Sequence, residues 1–187
     1  HETRPALVVH SHGVTLPDTD TPRLPAAALP AMAALPAAPI ALGDPERPAY
    51  IIYTSGTSGQ SRAVVHAHRA ILARQHMWDG WYGLTADDRL RHAGAFNWTY
   101  TLGTGLMDPW SVGATALIPI DGTDASALPD LMAQHRATIF AAAPGVYRRL
   151  LRADMPPLPD LRHGLSAGEK LPDVTRENWT AATGTPI

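Results

Sequence analysis

Apolar residues in this chain gather into short runs parted by glycine, proline and polar turns, and the spacing inside each run predicts its element. Ala49–Tyr53 is compact and apolar and reads as a strand, and Ala63–His66 reads as a second. Residues 69–81 carry Ala70, Ala73, Met77 and Trp81 at helical spacing and predict a helix. Thr101–Val112 predicts another, with Pro109 set against its second half. The remaining pattern alternates: strand at Ala114–Ile118, helix at Ala125–His135, strand at Thr138–Ala142, helix at Gly145–Leu151, strand at Arg162–Ser166, helix at Pro172–Ala182. Such alternation predicts an α/β fold, a mostly parallel sheet with helices on both faces. Before Ala49 the pattern is different. Prolines at 17, 22, 25, 30, 36, 39, 45 and 48 predict an irregular connector, preceded by a strand remnant in Arg4-Pro5-Ala6-Leu7-Val8-Val9. The expected organisation is therefore a remnant and Pro/Ala-rich connector over 1–48 and a nucleotide-binding α/β subdomain over 49–187. No repeat of 20–50 residues is present.

Between the first two strands lies Thr54-Ser55-Gly56-Thr57-Ser58-Gly59, closed by Arg62. Four hydroxyls stand beside two glycines, so side-chain and backbone donors can converge without steric block. Arg62 adds a fixed positive charge. That is chemistry for phosphate oxygens. The P-loop pattern does not fit, because Gly56 and Gly59 are only three apart and no Gly-Lys pair follows. In a mostly parallel sheet, ligands sit at the carboxyl ends of strands, and the expected place of the loop is there.

The loop resembles the signature of adenylate-forming enzymes, the family of acyl-CoA synthetases, luciferases and peptide-synthetase adenylation domains. That signature reads Thr-Ser-Gly-Thr-Thr-Gly, then any residue, commonly Pro, then Lys. Thr54, Ser55, Gly56, Thr57 and Gly59 match it, while Ser58, Ser61 and Arg62 replace Thr, Pro and Lys. Lys170 is the sole lysine among fifteen basic residues, so arginine at 62 follows the composition of the whole chain. Two further segments carry the resemblance. Phe96-Asn97-Trp98-Thr99-Tyr100 precedes Asp108-Pro109-Trp110-Ser111-Val112-Gly113-Ala114-Thr115, and Leu165-Ser166-Ala167-Gly168-Glu169-Lys170 resembles the family's Ser-Ala-Gly-Glu-Pro-Leu. On residues alone the first fits an aromatic core cluster somewhat better than a pocket wall, and the second fits a tight turn as well as a strand end against which a planar ring lies. The resemblance implies more: Trp98, Thr99 and Tyr100, with Ala167, would wall an acyl pocket, and Gly168, Glu169 and Lys170 would hold adenine. A tryptophan there leaves little depth, which suits a short-chain or benzoate-like acid.

The same resemblance implies part of the large N-terminal domain of an AMP-dependent acid:CoA ligase. ATP, Mg2+ and coenzyme A are the implied cofactors and co-substrates, with a small carboxylic acid as substrate. Thr54, Ser55, Thr57 and Ser58 would donate to phosphates, Gly56 and Gly59 would let backbone approach, and Arg62 would act catalytically by offsetting charge on departing pyrophosphate. Absent from the 187 residues are the family's Tyr-Gly-x-Thr-Glu motif, its ribose-binding Asp and its C-terminal catalytic lysine. Both chain ends look cut, and the expectation is a fragment inactive on its own. The alternative is a non-catalytic module that binds nucleotide or a partner.

Composition narrows the classes. Hydrophobic residues make up 45% and charged residues 17%, as in a globular domain. A net charge of −2 with no basic run argues against nucleic acid. No apolar stretch reaches the roughly 18 residues of a membrane span, and no signal-peptide pattern opens the chain. Zero cysteines leave no disulfide or thiolate chemistry and suit the cytoplasm. Of nine histidines, His66, His68 and His76 are the nearest to a cluster, and their spacing does not predict a metal cage.

Overall fold

The computed structural model describes residues 3–55, 61–120 and 123–187, in two units, His1–Leu42 and Gly43–Ile187. In the first unit β1 (Val8–His10) pairs in parallel with β2 (Arg23–Pro25), and α1 (Leu29–Met32) follows a short 3-10 turn. A strand and a helical turn thus stand inside the stretch expected to be irregular. Pro30 sits in the first turn of α1, where its missing N–H costs nothing.

The second unit opens with a two-stranded antiparallel hairpin, β3 (Pro48–Ser55) and β4 (Ser61–Ala67). This corrects the placement of the phosphate loop. Among the described residues β3 pairs with β4 alone, so the loop joins two hairpin strands and does not cap a strand of the parallel sheet. Next come α2 (His68–Ala73), α3 (Gln75–Met77) and a wide turn over Trp78–Tyr82 ending at Gly83 with φ +54°. The single helix expected over 69–81 is broken, and Asp79-Gly80 offers little helix propensity to hold it.

A four-stranded parallel sheet follows, in the order β6-β5-β7-β8. Its strands are β5 (Arg89–His92), β6 (Thr115–Leu117), β7 (Ile139–Ala142) and β8 (His163–Ser166). Between β5 and β6 run α4 (Thr99–Leu102), a wide turn at Gly103–Met107, and α5 (Asp108–Val112). Pro109 is accommodated because α5 starts at Asp108, within one residue of it. Then come α6 (Leu128–Gln134), α7 (Pro144–Leu150) and α8 (Asp173–Thr183).

Paired residues of parallel strands share a face, and the register divides the core in two. Leu90, Ile139, Ala141 and Leu165 pack on Tyr82, Leu84 and Ala114, with Tyr100 and Val112 alongside. On the other face Phe140 meets Met132 of α6, Tyr147 of α7 and Trp179 of α8. Trp179 stacks on Phe140 at 5.7 Å, and the Tyr147 hydroxyl donates to the Phe140 and Leu165 carbonyls, each at 3.0 Å. Helices cover both faces.

Strand β5 lies between β6 and β7, yet Arg89-Leu90-Arg91-His92 has no strand-like apolar run. What fixes it is a polar clamp at the amino ends of the strands. The Asp88 carboxylate, 3% exposed, accepts from the Thr85 amide (2.8 Å), the Thr138 hydroxyl (2.6 Å) and Arg162 Nε and NH2 (3.0 and 2.7 Å). Burial alone would raise its pKa; the Arg162, Thr138 and Thr85 bonds outweigh burial and hold it below the usual carboxylate range. A depressed folded pKa stabilises above the unfolded value of about 3.9, and that stability fades as pH falls through the folded value. Arg162 is partly exposed, so solvent screening keeps the effect modest. We expect the melting temperature to fall below about pH 4, with a shallower acid limb in Asp88→Asn. Parallel melting curves for both proteins between pH 6 and pH 3 test it, and identical acid limbs would contradict it.

Candidate active site

The hairpin register places Thr54 opposite Arg62 and Ser55 opposite Ser61. Directly opposed residues share a face, so the Arg62 and Thr54 side chains emerge together beside the loop. The Thr54 hydroxyl reaches the Arg62 carbonyl at 3.5 Å. Gly56, Thr57, Ser58 and Gly59 lie outside the described residues. On the same hairpin face Tyr50 stacks on His66 at 4.6 Å, and Ile52 is buried.

An open cleft of about 310 Å³ lies between Ile52-Tyr53-Thr54 and Asn97-Trp98-Thr99. It brings the base of the phosphate loop to the expected acyl segment, two motifs more than forty residues apart. Trp98 then meets the third motif. A Cβ built on Gly168 would stand 3.0 Å from Trp98 Cη2, and Gly168 has φ +99°, a conformation open to glycine and strained for other residues. We expect Gly168→Ala to cost about 1–2 kcal/mol in urea unfolding and to displace the indole. A change within experimental error, with tryptophan fluorescence unaltered, would mean the contact is slack.

Tyr100 takes a deeper position than Trp98 and Thr99. Its hydroxyl is buried without a partner, and burial drives its pKa far upward. Its ring lies 5.3 Å from Trp98 and 4.4 Å from His92, both edge-on. His92, beside Tyr100 and Trp98, is a neighbour that hydrophobic patterning does not reveal, because it rides on β5. Burial, helped by the neighbouring Arg91 charge, lowers its pKa to about 3, so the ring is neutral in any ordinary buffer. The Gly94 amide donates to Nδ1 at 2.9 Å, which leaves the proton on Nε2, buried and unpartnered. Gly105 packs closely on His92: a Cβ there would stand 2.7 Å from the His92 Cβ. A sequence signal for β5 does exist, a Thr85-x-x-Asp88 turn before it and Ala93-Gly94 after it.

Gly168, Glu169 and Lys170 are exposed beyond β8, and Glu169 faces Arg148 at 3.6 Å, a surface pair worth little. Ala167 is half-buried between them and Ser166, whose hydroxyl is buried and unpartnered. Among the described residues no group of three His, Cys, Asp or Glu could hold a metal. The cleft offers hydroxyls, an amide and an indole but no carboxylate, so its residues do not by themselves fit Mg2+. No described helix is long and apolar enough to cross a membrane.

The Thr54 end of the hairpin, the segment 97–99 and the Gly168 turn therefore meet at Trp98, and residues 2–187 match the family model described as AMP-binding enzyme. The chain belongs to the AMP-binding enzyme family. It is 36% identical over 146 residues to a 3-hydroxybenzoate--CoA/4-hydroxybenzoate--CoA ligase of Thauera aromatica, covering 76% of this chain and 28% of that one. A benzoate CoA ligase from Burkholderia xenovorans LB400 superposes with a TM-score of 0.78 at 26% identity, over 97% of this chain and 40% of that one. ATP-bound MatB from Rhodopseudomonas palustris gives 0.68 at 27% identity, over 78% and 29%. The chain thus spans under a third of the Thauera ligase, and its relatives in both sequence and structure include CoA ligases. The mostly parallel α/β architecture is that of these AMP-binding enzymes.

Proposed function

We propose that this chain forms the nucleotide- and acid-binding part of an AMP-forming ligase that joins a benzoate-like or short-chain acid to coenzyme A. The observation that supports it most is the convergence of three motifs on Trp98. In this reading the acid carboxylate attacks the α-phosphorus of ATP, pyrophosphate leaves, and a thiol then displaces AMP to give the thioester. Phosphoryl transfer of this kind asks the protein for positioning and charge neutralisation. Thr54 and Ser55, with the hydroxyls and glycines that follow, hold the phosphates. Arg62 faces the departing pyrophosphate with a charge that supports two hydrogen bonds at once. Trp98 and Tyr100 present flat apolar surface to the acid, with neutral His92 beneath them. Gly168 to Lys170 carry the adenine. Relatives that act on benzoate and hydroxybenzoates support the aromatic choice of acid.

A non-reactive acyl-adenylate mimic, benzoyl-sulfamoyl-adenosine, tests the reading. We expect saturable binding to the 187-residue chain, and no ATP–pyrophosphate exchange above background. Absence of binding removes the proposed site; robust exchange shows that the chain turns over unaided.

A further inference from the structure

Helix α2 follows β4 without a loop, His68 coming directly after Ala67. Its first turn is also tied to the chain just ahead of β3. The His68 amide donates to the Arg47 carbonyl at 3.1 Å and the Arg69 amide to the Pro45 carbonyl at 3.0 Å, and the Arg69 side chain pairs with Glu46. Hairpin and helix thus form one body. Thr54 stands at the loop end of β3 and α2 at the other, about 20 Å away along the strand. Arg74 closes α2.

A second body runs without a break from Thr99 to Val112, through α4, the wide turn and α5. Trp98 precedes its first residue, and Asp108 lies roughly 15 Å further along the helical run. The two bodies meet at the cleft, where Thr54 and Trp98 share the walls. They meet again at Arg74, whose Nε and NH2 donate to the Asp108 carboxylate, each at 2.6 Å, and whose NH2 also reaches the Thr104 hydroxyl at 3.2 Å. Tyr50 lies within electrostatic reach of this pair. Burial raises the pKa of its hydroxyl, with Arg74 pulling down and Asp108 pushing up. Tyr50 shares its hairpin face with Thr54, so one face of β3 looks onto both junctions.

Bodies joined at one point can hinge; a second, distant junction stops the hinge. A bidentate guanidinium–carboxylate pair suits that task, because its two parallel bonds fix distance and plane together. Joining a carboxylate to phosphorus needs reacting atoms held about 3–3.5 Å apart, and a remote change that misplaces them by about 1 Å costs about a hundredfold. We propose that Arg74 and Asp108 are a positioning pair for the proposed ligation. By setting the separation of the hairpin and the Trp98 run, they hold nucleotide and acid in line. Neither residue lines the cleft, so the effect passes through the two bodies and not through contact with a substrate. This role rests on the ligase reading of the cleft, and it assigns the pair an effect on ligand alignment in addition to its effect on stability.

The test compares benzoyl-sulfamoyl-adenosine with sulfamoyl-adenosine, which lacks the acyl group, by calorimetric titration into the 187-residue chain. The ratio of the two dissociation constants is the gain from the benzoyl group. We expect Arg74→Lys, which keeps the charge but loses the fork, to cut that gain about tenfold or more, while affinity for sulfamoyl-adenosine changes less than about threefold. Thr104→Val removes one Arg74 bond at nearly constant shape. It should show the same pattern with a smaller loss, and it decides the matter if Arg74→Lys misfolds. A pair that only stabilises the fold lowers both affinities in proportion and leaves the gain as it was. An unchanged gain in the folded variants therefore overturns the proposal, whatever happens to the melting temperature. A wild-type chain that binds neither compound, or draws no gain from the benzoyl group, refutes the ligase reading first and the alignment role with it.

Discussion

Asp108→Ala is expected to destabilise the chain by about 3–5 kcal/mol, the loss typical when one partner of a buried charge pair is removed. Asp108 is 1% exposed, and its carboxylate accepts from Arg74 Nε and NH2, each at 2.6 Å, and from the Tyr82 hydroxyl at 2.7 Å. Truncation strands all of these donors at once. The Tyr82 hydroxyl would be left buried, and the Arg74 side chain, 17% exposed, would keep its charge without a partner. Arg74 also donates to the Thr104 hydroxyl and lies against Gly103, where any Cβ would collide with the guanidinium. The pair therefore ties the residues after α2 to the helical run that carries Trp98 and Tyr100. Urea unfolding of the variant measures the cost. A loss below about 1 kcal/mol would place Asp108 among the solvent-screened pairs.

Arg62→Ala is the second large change, and it acts on binding. Arg62 is exposed on β4 beside Thr54, and no described contact commits its guanidinium to the fold. Its removal should leave the unfolding midpoint nearly unchanged. A charge-assisted hydrogen bond contributes about 1.5–3 kcal/mol, so ATP affinity should fall about ten- to a hundredfold. Calorimetric titration of ATP into both proteins reads the effect. Unchanged affinity would make the loop a structural turn and favour a non-catalytic module.

How far the sequence carried this picture depends on where local and global signals agree. The strands β6, β7 and β8 and the helices α6, α7 and α8 were legible because each is a short apolar or periodic run bounded by turn residues. Strand β5 was hidden because its place between β6 and β7 comes from the Asp88 clamp, a tertiary feature with no periodicity. With β5 hidden, His92 was hidden too, and it accounts for the floor beneath Trp98. The hairpin was half legible. Both strands could be read, but their antiparallel pairing could not, since Ile51, Tyr53, Val64 and Val65 give the apolar texture of a buried parallel strand while standing exposed. The helix over 69–81 is interrupted at Arg74, whose guanidinium pairs with Asp108, and opens into a wide turn at Asp79-Gly80, where helix propensity is low. The convergence on Trp98 was legible only through resemblance: nothing local to Phe96–Tyr100 separates a pocket wall from a core cluster.

The central claim is that three separate motifs form one site at Trp98. The most direct test is the titration with benzoyl-sulfamoyl-adenosine followed at the Trp98 indole N–H, assigned by its loss in Trp98→Phe. The account predicts a saturable shift of that resonance, accompanied by the amides of Thr54 and Gly168 with the same midpoint. Binding that leaves Trp98 unmoved, or that moves the Thr54 and Gly168 amides at different concentrations, would contradict it.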